Sequence, residues 1–135
     1  MSITLGELRG VTDTVLSALK GQGLGDGNAL LEAAKTPQGR MALAYASGVD
    51  ARAILELANR ADLARIKGIG RVYSDLMEEA GVDTVRELAH RVPDNLHATL
   101  IQINKKRQFT QRPPSVEQIN DFVEQAKSLP IVLEY

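Results

Sequence analysis

Lys67-Gly68-Ile69-Gly70-Arg71 sets two cations around two glycines within five residues, a combination suited to holding an anion. Glycine reaches positive φ without steric penalty and leaves its N–H uncovered, so such a turn and the helix start behind it expose a small group of backbone donors. Phosphate is the anion that fits a cluster of this kind. Arg65 adds to this acid-free basic group, and Lys105, Lys106, Arg107 and Arg112 form another further along. Other chemistry is poorly provided for. There is no Cys, and His90 and His97 lack metal-ligand spacing, so no metal or cofactor is expected. Asp75, Glu78 and Glu79 read as a solvated helix face rather than a catalytic set. Lys67 has the amine for a Schiff base, but no second catalytic group accompanies it, and the expectation is a protein that is not an enzyme.

The elements that must position this turn are helices. Leu63 and Ile66 fit the end of one helix, and Val72, Tyr73, Leu76, Met77 and Ala80 fit the next, with Tyr73 expected in the core. The chain has 135 residues, of which 44% are hydrophobic and only 4% aromatic, so its core must be built from aliphatic side chains that suit closely packed helices. The reading is all-α. No apolar run is long enough for a membrane span, and the start lacks a leader pattern, so a cytoplasmic protein with no membrane contact is expected. The net charge of −1 argues against indiscriminate polyanion binding, which needs many Lys and Arg, so any contact with DNA or RNA must be local.

The chain also resembles itself. A shift of 58 residues aligns Leu5 with Leu63, Leu8 with Ile66, Gly10 with Gly68, Val11 with Ile69, Leu19 with Met77, Gly23 with Gly81, and Leu30 with Leu88. Beyond that, Ala51, Ile54, Leu55 and Ala58 match Ile119, Phe122, Val123 and Ala126 at an offset of 68, which implies about ten extra residues near Lys105 to Pro114. Residues 1–61 and 62–135 are therefore read as two repeats of five short helices each, packed as one compact unit with approximate two-fold symmetry. Asp26, Thr36 before Pro37, Thr84 and Ser115 are the expected helix starts. The last helix of the first repeat runs almost directly into the first helix of the second, since no Gly, Pro or Ser separates Ala51 from Ile66. The apolar tail from Leu129 to Tyr135 either packs across the helices or meets another subunit.

Gly68-Ile69-Gly70-Arg71-Val72-Tyr73, then Leu76, Ala80-Gly81-Val82-Asp83-Thr84-Val85 and Glu87-Leu88-Ala89, resembles the helix-hairpin-helix motif of recombinase amino-terminal domains and DNA repair proteins. The whole chain resembles an uncharacterised bacterial family, domain of unknown function 4332. The resemblance implies two tandem, SAM-domain-like helix-hairpin-helix repeats, and a phosphate held by backbone N–H groups at Gly68, Ile69 and Gly70. Ile69 would bury its side chain to hold the turn, and such turns sometimes hold a monovalent cation on their carbonyls. The motif often has Pro and then Lys after its second glycine. Here Arg71 and Val72 stand there, so one expected cation is missing. In the first repeat Thr12 replaces the second glycine and Asp13 stands where Arg71 does, so Thr12 or Asp13 would cap the helix internally and the Asp13 carboxylate would repel phosphate. The expected function is weak, sequence-independent binding of a DNA or RNA backbone by Lys67, Gly68, Ile69, Gly70 and Arg71, aided by Lys105, Lys106, Arg107 and Arg112. The alternative is a protein-interaction module or adaptor with no nucleic-acid contact.

Overall fold

The computed structural model describes residues 5–8 and 11–135. The described residues form a short 3-10 turn at Leu5–Glu7 and α-helices α1 (Asp13–Gly21), α2 (Gly27–Ala33), α3 (Pro37–Ser47), α4 (Ala51–Leu63), α5 (Arg71–Glu79), α6 (Val85–Ala89), α7 (Pro93–Lys106) and α8 (Val116–Ser128), with no strand among them. Ile3, Arg9 and Gly10 of the expected first helix and turn lie outside the described residues.

Local chemistry explains where most helices begin. Thr12, Asp26, Thr36, Thr84 and Ser115 each accept a hydrogen bond from a first-turn amide. Pro37 and Pro93 occupy the first turns of α3 and α7, where a missing N–H costs nothing. Ser115 and Gln118 complete a reciprocal capping box at α8. Asp50, at the N-cap of α4, makes no side-chain cap.

The chain divides into two compact units. The first comprises the chain up to Ala64 together with Val132–Tyr135, and the second is Arg65–Ile131. In the first unit α4 packs on α2 and α3, and α3 meets α1. In the second, α8 packs on α6 and α7, and α7 meets α5. Positive-φ glycines at Gly23 and Gly81 end α1 and α5 in the same way, with Leu24 and Val82 returning hydrogen bonds to Leu19 and Met77.

Two expectations change. The short helix expected at the start of the second repeat does not form separately: α4 runs unbroken to Leu63, and Ile66 lies in the turn that follows, buried there. With no helix-breaking residue before Gly68, nothing ends α4 earlier. The register of the last helices also shifts. Ile54, Leu57, Ala58 and Ala61 are the buried apolar stripe of α4, as Ile119, Phe122, Val123 and Ala126 are that of α8, and these pairs stand 65 apart rather than 68. A three-residue slip keeps a helix face almost unchanged, so periodicity alone could not separate the two registers.

The tail packs on the first unit. Leu133 is 5% exposed within its core, the Glu134 amide donates to the Lys35 carbonyl at 2.7 Å, and the Tyr135 hydroxyl pairs with Asn59 Oδ1 at 2.8 Å. The Arg40 guanidinium lies 6.0 Å from the Tyr135 ring centre while donating to the Ala34 carbonyl. Lys35 is held in its charged form, with a raised pKa, by its hydrogen bond to Glu32, the charge of Glu32 and the more distant charge of Glu134. Leu133→Ala should therefore destabilise the protein by about 2 kcal/mol, measured by urea unfolding.

Candidate nucleic-acid interface

The turn between α4 and α5 is built from inside and outside at once. Ile69, 4% exposed, is buried beneath it, and its N–H donates to the Ile66 carbonyl at 3.2 Å. Val11 makes the same bond to Leu8 in the first unit, at 3.3 Å. Gly68 has φ +101°, and a Cβ there would lie 2.8 Å from Phe122 Cε1. Only glycine suits that position, for its dihedral and for the aromatic ring against it. Gln125, one turn along α8 from Phe122, accepts from the Lys67 N–H at 2.8 Å and donates to the Lys67 carbonyl at 3.0 Å.

These bonds narrow the donor set. The Ile69 N–H, expected to face phosphate, is committed to Ile66, and the Lys67 N–H to Gln125. The first-turn amides of α5 remain among the open donors, because its N-cap is Gly70, which has no side chain to cover them. Gly70 has φ −97° and open space where a Cβ would stand, so its value lies in being bare rather than in unusual geometry. In the first unit Thr12 Oγ1 takes the Val15 amide at 3.2 Å, the internal cap its sequence implied. Lys67, Gly68, Gly70, Arg71 and Val72 are all exposed, and neither Lys67 nor Arg71 pairs with a carboxylate among the described residues. Asp121 sits close by, its carboxylate accepting from Gln125 Nε2 at 2.8 Å.

The second basic cluster is split. Tyr73, half-buried in the first turn of α5 with its ring edge-on to Phe122 at 6.3 Å, donates its hydroxyl to the Arg112 carbonyl at 2.7 Å. Arg112 is thereby tied to the hairpin end of α5. Arg107 pairs with Glu79 at 3.0 Å, at the opposite end of α5, and lies 5.1 Å from the Phe109 ring centre. Lys105 and Lys106 are exposed in the last turn of α7, beside Arg107. Asn104 shapes the loop between, accepting from the Phe109 and Thr110 amides and donating to the Thr110 carbonyl. Sequence reasoning passed over Gln125 and Asn104. Neither carries a charge or a glycine to mark it, and both act on backbone brought near only by folding.

Among the described residues no group of His, Asp or Glu could hold a metal ion, and no helix is long and apolar enough to cross a membrane. The model of a family described as Domain of unknown function (DUF4332) matches residues 9–129. No curated protein and no solved structure matches the chain significantly.

The two glycines should separate in mutation. Gly68→Ala is expected to cost about 2 kcal/mol or more, from the left-handed backbone and the displaced Phe122 ring, whereas Gly70→Ser should gain a few tenths by capping α5. Urea denaturation of the two variants checks both.

Proposed function

The chain belongs to the DUF4332 family, and from that premise we propose that it is a non-enzymatic, cytoplasmic protein of two tandem helix-hairpin-helix repeats. Its second hairpin weakly binds the phosphate backbone of DNA or RNA without reading sequence. The observation that carries this is the bare N-terminus of α5: Gly70 leaves its first-turn amides uncapped between Lys67 and Arg71, while Thr12 closes the equivalent end of α1. The matching turn bonds of Val11 and Ile69, 58 residues apart, support the repeat. Helix N-terminal amides beside two exposed cations suit one or two phosphate groups, with Arg112 able to add another contact from the loop.

Fluorescence anisotropy against short DNA and RNA at rising salt tests the reading. Two or three phosphate contacts give a log-log slope of roughly −2 to −3 on duplex. Lys67→Glu with Arg71→Glu should abolish binding, and Asp13→Lys should leave it intact. Gly70→Ser should weaken it without loss of stability, because the serine oxygen takes an amide that phosphate would use. Absence of binding at low salt would sink the proposal.

A second reading, a protein-interaction module, draws on the outer face of α3. Gln38, Met41, Ala42, Tyr45 and Ala46 are all exposed there and none is charged, with Tyr45 94% exposed. Such a surface favours apolar contact with a protein. A partner retained by the wild type and by Lys67→Glu/Arg71→Glu, but lost on Tyr45→Lys, would favour this function.

A further inference from the structure

We propose that Gln125 is the positioning residue of the second hairpin, a two-point clamp that orders the glycine turn before any phosphate arrives. The proposal rests on the phosphate-binding reading of that turn. The Gln125 carboxamide accepts from the Lys67 N–H at 2.8 Å and donates to the Lys67 carbonyl at 3.0 Å, so it engages the peptide groups on both sides of that residue. Its remaining N–H goes to Asp121 Oδ2 at 2.8 Å. That third bond fixes the orientation of the amide: a flipped carboxamide would set its oxygen against a carbonyl and a carboxylate. Asp121 thus orients the clamp. Phe122, next to it on α8, closes against Gly68.

The clamp sits beside a residue with wide backbone freedom. Lys67 precedes Gly68, whose φ of +101° is one of many conformations open to a glycine, and fixing the residue before it removes much of that freedom. A turn ordered in advance presents the α5 amides in place, so contact with phosphate spends less on ordering the chain. This matters because the hairpin has few cations to supply affinity by charge.

In the first unit a different residue type stands at the position of Gln125. At the 65-residue offset that matches the buried stripes of α4 and α8, Gln125 corresponds to Arg60, which is buried at 6% exposure. A guanidinium only donates, so it cannot accept a backbone N–H as Gln125 does. The acceptor half of the clamp therefore belongs to the unit whose hairpin is left uncapped.

The experiment compares Gln125→Arg and Gln125→Ala with the wild type. Anisotropy on a 20-base-pair duplex at low salt is read beside NMR amide exchange. Gln125→Arg adds a positive charge, which by electrostatics alone would tighten binding. We expect it instead to bind about fivefold more weakly, as loss of the bond from the Lys67 N–H implies, and Gln125→Ala, which loses both bonds to Lys67, to bind at least as weakly. Exchange of the Lys67 amide should speed up by about tenfold or more while core amides of α6 and α7 keep their protection. A merely structural role would instead raise exchange throughout the unit. Folded variants that bind as tightly as wild type, or an unchanged Lys67 amide, would overturn the clamp. If the wild type binds no duplex, the phosphate reading falls; the exchange comparison then supports the clamp if Lys67 alone is released and overturns it otherwise.

Discussion

The contact between Gly68 and Phe122 is the constraint on which the candidate site depends, because the ring stands where any side chain on Gly68 would have to go. Phe122 belongs to the buried stripe of α8, together with Ile119, Val123 and Ala126, against which α6 and α7 pack. The helix that organises the core of the second unit thus also supports its glycine turn. Buried aliphatic and aromatic surface packs that helix closely, which gives the glycine turn a firm backing. From the same face Gln125 reaches the backbone of Lys67.

The two units share a plan and differ at their hairpins. Both place a buried apolar side chain just before the turn, Leu8 in one and Ile66 in the other, and both follow it with the same backbone hydrogen bond. They part at the next helix start. Thr12 closes α1 with its own hydroxyl, whereas Gly70 leaves α5 open. A capped helix start is more stable, and an uncapped one keeps donors for something else. Internal capping and anion binding compete for the same N–H groups, so one residue at the helix start decides whether those groups stay open.

The outer face of α3 is a separate feature. Its uncharged residues, Met41 and Tyr45 above all, leave apolar surface in water on a unit whose hairpin is closed. The two units therefore differ in what they expose: helix-start amides and cations on the second, apolar side chains on the first.

Much of this was legible along the chain. Helix starts follow from local chemistry, since Thr36 before Pro37 and Ser115 before Gln118 act within one turn. The glycine turn, the buried Ile69 and the contrast between Thr12 and Gly70 likewise depend on residue type and near neighbours. Tertiary structure decided what periodicity leaves degenerate or what distance in sequence hides. The 65-residue register of α4 and α8 is one case, because a slip of three residues preserves a helix face. The division of the basic cluster is another: Arg112 is tied to Tyr73 at one end of α5, and Arg107 to Glu79 at the other. The commitment of the Ile69 amide to Ile66 and the clamp of Gln125 on Lys67, 58 residues away, complete the list. Each is a choice of partner among groups that can all form hydrogen bonds, and only the packed chain brings the chosen pair together.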